Sequence, residues 1–525
     1  MNPNDKGGSP AGLPEQGEAF PPAGAGGAAD PEAGADQYTA AGPVEGASAA
    51  PGGAAGAGSA CDGRALRRRR LLLMTSVSCN LFGNIGFTGL NIAAPTIQRE
   101  MGLSAPQTGW LMLSAMLAMA AFSAPMARLS EIAGRRRVTM AGLYVAAAGS
   151  VLNALVTTFP AFIAARVITG AGLITFFTTS TAMVAAAYPR EERGRILGLV
   201  IGAVYLSLSL GPIVGGLLVE AFGWSSLFWF GAVGLALPIV LIHMVEGEDP
   251  REDSRMDLLG SLTWALAVVL GFTAFASLGA PGSGPALAAG IALFALFVWL
   301  TLRNPSPMVD LSLFRVSRRF TLSSVAAFIS YVSSFSITML LSLYFQYSKG
   351  LPPAVTGLVM VSQPLFQAAL TPVAGRLSDR FDAGLIASLG LLVILTGILI
   401  FAVFLDAAAP LPLMILAMCL CGGGFALFGA PNSNAIMSAV PPRRIGQASG
   451  VIAVTRLTGQ ITSMALTTLV FARVIGPGEI TPDLYPAFLT AARLLFWMFV
   501  PLCLLGVFAS RARGRDTGVE GAGGS

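Results

Sequence analysis

Charge is scarce in this 525-residue chain: Asp, Glu, Lys and Arg together make up only 11% of it, and Lys6 and Lys349 are its two lysines, each followed by Gly. A phosphate-cradling P-loop needs a lysine followed by Ser or Thr, so the pattern speaks against a nucleotide-driven machine. A single histidine, His243, leaves no Ser-His-Asp triad and no His-rich metal site. The five cysteines lie mostly inside apolar runs, and Cys419-Leu420-Cys421 has no other ligand type near it. Neither a disulfide framework nor a metal centre is expected from that usage. No cofactor is implied, and no nucleophile, base and orienting group occur together as an enzyme would require.

What the chain has instead is apolar length. Hydrophobic residues reach 54% and mean hydropathy is +0.71, whereas soluble domains carry about 25% charged residues. The expectation is an all-α integral membrane protein. Residues 1–66 are rich in Gly, Ala and Pro and read as a disordered cytoplasmic tail. From Leu71 to Ala509 there are fourteen apolar segments of roughly 20 residues, each long enough to span a bilayer. They divide into six helices over 71–245, two inserted helices over 257–302 and six more over 320–509, with a second cytoplasmic tail at 510–525.

The arginines orient these segments. Arg67 to Arg70 abut the first apolar run and belong on the cytoplasmic side. Counting crossings from there puts Arg135 to Arg137, Arg190, Arg251, Arg315, Arg376, Arg443 and Arg511 on the same side, with only Arg99, Lys349 and Arg473 opposite. Both termini are therefore expected inside a bacterial inner membrane, and the +5 net charge reports topology; no nucleic acid is implied.

A short charged hinge occurs twice between apolar runs, as Arg128-Leu129-Ser130-Glu131 followed by Arg135 to Arg137, and as Arg376-Leu377-Ser378-Asp379-Arg380. Two copies at matching places suggest two pseudo-symmetric halves, a common plan of secondary transporters. A carboxylate near a helix amino terminus meets its positive dipole, and the arginines offer partners across a bundle. Arg128, Glu131, Arg135, Arg376, Asp379 and Arg380 are thus read as a cytoplasmic gate.

On this hinge the chain resembles the major facilitator superfamily, in particular its fourteen-helix drug:proton antiporter branch. Ala127 stands for the family's Gly and Glu131 for its Asp. The fifth segment carries Gly211-Pro212-Ile213-Val214-Gly215-Gly216, similar to the antiporter motif of that family; such glycines let helices pack backbone to backbone. Arg166, in Arg166-Val-Ile-Thr169-Gly170, resembles the family's arginine for proton coupling, with Thr169 for the usual Gln. An arginine in hydrocarbon is in any case a functional hypothesis, with snorkelling to an interface as the plain alternative. Asn91-Ile-Ala-Ala-Pro95 also resembles a family motif, but the family's Asp five residues earlier is Gly86 here. No carboxylate lies deep in any segment, and Asp257 at a segment edge is the nearest second ion-coupling candidate.

Asn80, Asn84 and Asn91 sit at helical offsets that bring them within roughly 40° of one another, a polar stripe for a cavity or a neighbouring helix. Gln346, Asn432, Asn434 and Arg456 are further cavity candidates. The resemblance implies alternating-access, proton-coupled efflux of small amphipathic compounds, with the lipid bilayer, a small-molecule substrate and protons as partners. A carrier or uniporter for one metabolite or vitamin is the alternative, and a non-transporting sensor or scaffold a third.

Overall fold

The computed structural model describes residues 54–247, 256–304, 311–441 and 444–513. The chain divides into two units, Met1–Ala60 and Cys61–Ser525, and apart from the first residues of α1 everything below concerns the second. Among the described residues it is all-helical apart from two isolated β-bridges.

The first-half helices are α1 (Ala54–Met101), α2 (Ala105–Ala133), α3 (Arg135–Leu155), α4 (Phe159–Ala187), α5 (Arg190–Phe222) and α6 (Ser225–His243). Two more follow, α7 (Leu258–Ala276) and α8 (Ser283–Arg303). The second half begins with α9, an α-helix over Arg318–Ser334 continued by Ile337–Leu343 and a π-helical turn Tyr344–Ser348. Then come α10 (Pro353–Met360 and Ser362–Arg380), α11 (Ala383–Phe404), α12 (Leu411–Ser438), α13 (Ile445–Val474) and α14 (Tyr485–Ala512). Thirteen of these runs are long and apolar enough to cross a membrane. The remaining one, α13, spans 30 residues and carries Arg456, Gln460 and Arg473, which dilute its apolar character.

Local chemistry sets the breaks. Ser104 caps α2 reciprocally: its hydroxyl accepts from the Gln107 amide while the Gln107 side chain accepts from the Ser104 amide at 2.8 Å. Gly134, at φ 98°, turns the chain between α2 and α3, a conformation other residues rarely adopt. Glu131 accordingly lies in the last turn of α2 and not at the amino end of α3, so the helix-dipole argument for it does not hold; Arg128, one turn earlier, compensates its charge. At the amino end, α1 runs back to Ala54, so residues 54–66 are helical where a disordered tail was expected. Ala is the strongest helix former, and the segment is rich in it. Residues 1–53 lie outside the described residues.

Packing follows a repeating order. In the first half α3 packs on α4, α2 on α4, and α3 on α6; eight helices later α11 packs on α12, α10 on α12, and α11 on α14. The halves meet along two seams, α2 with α13 and α5 with α10. Helices α7 and α8 pair with each other, a Cβ at Gly290 falling 2.6 Å from the Gly271 Cα, and α7 leans on both α2 and α13. The Trp264 indole of α7 donates to the Ala120 carbonyl of α2 at 3.0 Å, anchoring the inserted pair at the seam. Large apolar side chains cover the outside, such as Val233 at 70% and Phe508 at 68% exposed. Lipid is the solvent that such a surface suits.

Candidate functional site

Between the halves lies a cavity of about 1110 Å³. Its wall comes from α1, α2, α4 and α5 of the first half and α9, α10, α12 and α13 of the second. Asn80, Asn84 and Asn91 all line it, as the helical spacing requires. Their amides are satisfied on their own helix: Asn80 donates to the Ser76 carbonyl and Asn84 to the Asn80 carbonyl, each at 2.8 Å, and Asn91 to the Thr88 carbonyl at 3.2 Å. That back-bonding lets polar groups stand at a membrane-depth wall without a ligand. Arg456 also lines the cavity.

One end of the cavity is sealed by hydrogen bonds between the halves. Pro95 has no N–H, so the Asn91 carbonyl one turn before it lacks its helical donor. The Ser342 hydroxyl of α9 donates to that carbonyl at 2.6 Å. Gln346 donates to the Ile92 carbonyl at 3.0 Å, and the Tyr347 hydroxyl to Gln98 Oε1 at 2.9 Å. The Ala354 amide of α10 donates to the Glu220 carboxylate of α5 at 2.9 Å, and the Ala105 amide to the Gly478 carbonyl at 3.1 Å. The π turn that carries Gln346 and Tyr347 is thus part of a seal. Gln346 is buried and does not line the cavity, so its place is the seal and not the cavity wall expected for it.

The glycine motif of α5 lies on the same closed side. A Cβ at Gly215 would fall 2.7 Å from the Gly89 Cα of α1, and one at Gly216 would fall 2.5 Å from the Pro353 carbonyl oxygen of α10. Gly211 abuts Thr88, and the Pro212 carbonyl lies against Gly357. The motif is a backbone-to-backbone contact that reaches across the seam.

The other end of the cavity reaches Arg128 and Glu131, whose side chains pair within α2 at 2.6 Å and remain 22% and 42% exposed. Arg135 is half-buried, and its neighbour Arg136 donates to the Ile242 carbonyl at 3.2 Å, closing the carboxyl end of α6. In the second copy of the hinge Arg376 and Arg380 are exposed on α10; the Asp379 side chain lies outside the described residues.

Arg166 does not snorkel. It is 2% exposed, and its Nε donates to the Leu111 carbonyl of α2 at 3.1 Å, while Nη2 has no protein partner. A second, small cavity of about 20 Å³ adjoins it, lined also by Gly86, Phe87, Ser150 and Thr169, room for a single water. Gly86 thus faces the arginine that the family's aspartate would meet. Phe87 lines both cavities and stands between Arg166 and the large one.

Three expected site residues are placed elsewhere. Asp257 caps α7, its Oδ1 accepting from the Gly260 amide at 2.9 Å, and does not line the cavity. Asn434 is exposed on α12, outside the lining. Asn432 is buried and serves a clamp: Arg513 donates to its Oδ1 at 2.8 Å, to Ser323 Oγ at 3.0 Å and to the Ala383 carbonyl at 2.8 Å. Burial, with the nearby Arg319 charge, pulls the Arg513 guanidinium down to about 10. Arg513 was expected in the cytoplasmic tail, yet it joins α9, α11 and α12. Sequence gave no signal for it, whereas Pro95 did announce an orphan carbonyl at Asn91.

The sequence model described as Major Facilitator Superfamily matches residues 76–317 and 323–522. The multidrug resistance protein Stp of Mycobacterium tuberculosis is 31% identical over 423 residues, covering 78% of this chain and 77% of that protein. The riboflavin transporter RibZ of Clostridioides difficile is 26% identical, covering 80% and 91%. Among solved structures, a bacterial homologue of the lysosomal transporter Spinster in an inward-facing, unoccupied conformation superposes with a TM-score of 0.61 at 16% identity, covering 85% of this chain and 97% of that one. At that identity the likeness concerns the fold alone.

Proposed function

The chain belongs to the Major Facilitator Superfamily, and from that premise we propose that it is a fourteen-helix, alternating-access carrier that exports small amphipathic organic compounds in exchange for protons. The observation that carries the reading is the cavity between the halves, sealed at one end and reaching Arg128 and Glu131 at the other. With the arginine-rich end in the cytoplasm, as the charge asymmetry favours, this is the inward-facing form. The outward-facing form arises when the bonds from Ser342, Gln346 and Tyr347 break and the two hinges around Arg128/Glu131/Arg135 and Arg376/Asp379/Arg380 approach. Arg166 couples the movement to protons from behind Phe87. The similarity to Stp supports drug export as the direction.

Spin labels at Arg99 and Val355, on either side of the seal, test the cycle. Two distance populations whose ratio changes with an imposed proton gradient are expected; one fixed distance under all conditions would exclude alternating access at this seam.

A second reading has its own support. Glu131 is the sole carboxylate among the described cavity-lining residues, and it is paired to Arg128. A carrier that moves one metabolite without protons fits that scarcity, and RibZ is a relative with a vitamin in its name. Substrate flux that persists after the proton gradient is collapsed would favour it.

A further inference from the structure

We propose that the cavity selects organic anions, with Arg456 as the group that recognises their carboxylate, sulfonate or phosphate; the proposal rests on the transport reading above. Three charged residues line the cavity among those described, Arg128, Glu131 and Arg456. The first two neutralise each other at 2.6 Å. Arg456 is left as the uncompensated charge of the wall.

Its position and its lack of a protein partner set it apart. Arg456 lies eleven residues into the 30-residue α13; at 1.5 Å per residue that helix is about 45 Å long, so with a hydrocarbon core of about 30 Å centred on it the residue stands roughly 9 Å inside the core. Its side chain lines the cavity between the halves. It is exposed, and it makes no hydrogen bond or ion pair among the described residues, unlike Arg166 and Arg513. A guanidinium within a membrane-spanning helix, facing a cavity and committed to no protein acceptor, is poised for a ligand's oxygens.

The surroundings give the rest of the chemistry. Gln460, one turn along α13, lines the same wall, and the Tyr331 hydroxyl lies within electrostatic reach of Arg456 and Tyr205. Phe425 packs on Tyr331 with ring centroids 6.3 Å apart. Polar groups at one spot and aromatic faces around it suit a flat organic body that ends in an anion. A charge in a low-dielectric recess concentrates the opposite charge and repels its own. An inside-negative membrane potential drives an exported anion outward, so such a substrate lessens the need for the carboxylate that Gly86 replaces.

Two dyes with the same xanthene ring system test the assignment: fluorescein, as its dianion, and rhodamine 6G, a cation. Fluorescence anisotropy with the purified full chain in lipid nanodiscs should show fluorescein bound roughly tenfold more tightly than rhodamine 6G. Arg456→Gln should reduce that preference to about twofold or less, and Arg456→Lys should restore most of it. Equal or tighter rhodamine 6G binding, an equal loss for both dyes in Arg456→Gln, or no binding of either overturns the proposal. Flux of both dyes into proteoliposomes separates the two layers of argument. Carriage of rhodamine 6G without any anion preference overturns anion selection and keeps the transporter; fluorescein bound with the expected preference but never carried keeps the anion site and overturns transport.

Discussion

Arg166 and Arg456 are both single arginines at membrane depth, yet the protein treats them in opposite ways. Arg166 is walled inside the first half, with one carbonyl partner and a cavity no larger than a water molecule beside it. Arg456 faces a cavity of about 1110 Å³. The difference teaches where each charge's free energy is spent. A buried, incompletely paired guanidinium costs stability and persists only for what it does, whereas a cavity-facing one is solvated and costs little until a ligand arrives.

The sharpest break of that contrast is Arg166→Met, which keeps the volume and removes the buried charge. Thermal unfolding should show a gain of about 2 kcal/mol, in line with other buried charges replaced by apolar groups, while gradient-driven flux in proteoliposomes falls by at least roughly tenfold. Unchanged flux would end the coupling role of Arg166. Next in size is Phe87→Ala, which removes the wall between the two cavities. Being half-buried, Phe87 should cost about 2 kcal/mol, less than a fully buried ring. An arginine-directed dicarbonyl reagent should then label Arg166, read by mass spectrometry of its peptide, and should leave it unlabelled in the parent protein.

Gly86→Asp would give Arg166 the partner that the family resemblance anticipates. A Cβ there meets only the Gly231 Cα at 4.0 Å, so the position accepts a side chain without a backbone clash. Buried ion pairs roughly break even against desolvation, and stability should stay within about 1 kcal/mol. The readout is flux against pH, which should become steeper than in the parent; an identical profile would mean that the small cavity has no part in coupling. The smallest effect belongs to Arg456→Met, expected to leave thermal stability within about 0.5 kcal/mol because the side chain is exposed and has no hydrogen bond or ion pair to lose among the described residues. A larger loss would make Arg456 a structural residue like Arg166.

Much of this molecule was legible in its sequence, for a physical reason. Hydrocarbon forces each crossing to satisfy its own backbone bonds, so apolar length alone announces a helix, and arginine position alone suggests its direction. The asparagine stripe of α1 reached the cavity as its spacing required, since three residues on one face of one rigid helix stay together wherever the helix goes. The glycine run of α5 likewise lay where backbones touch.

Polar residues on different helices were not legible in that way. Gln346 and Asn432 had the same composition-level claim to the cavity as Arg456, but a π turn carries Gln346 to the α1 carbonyls and Arg513 draws Asn432 into a clamp. Whether a polar side chain meets ligand, helix or solvent depends on which helix lies opposite it, and that is decided by how the helices pack. The sequence by itself determined the apolar helices, most of their boundaries to within about two turns though not the start of α1 at Ala54, and the expected sidedness. Only the tertiary structure decided that one intramembrane arginine is sealed behind Phe87 while the other stands in the cavity, because burial is a property of the neighbours a residue acquires and not of the residue itself.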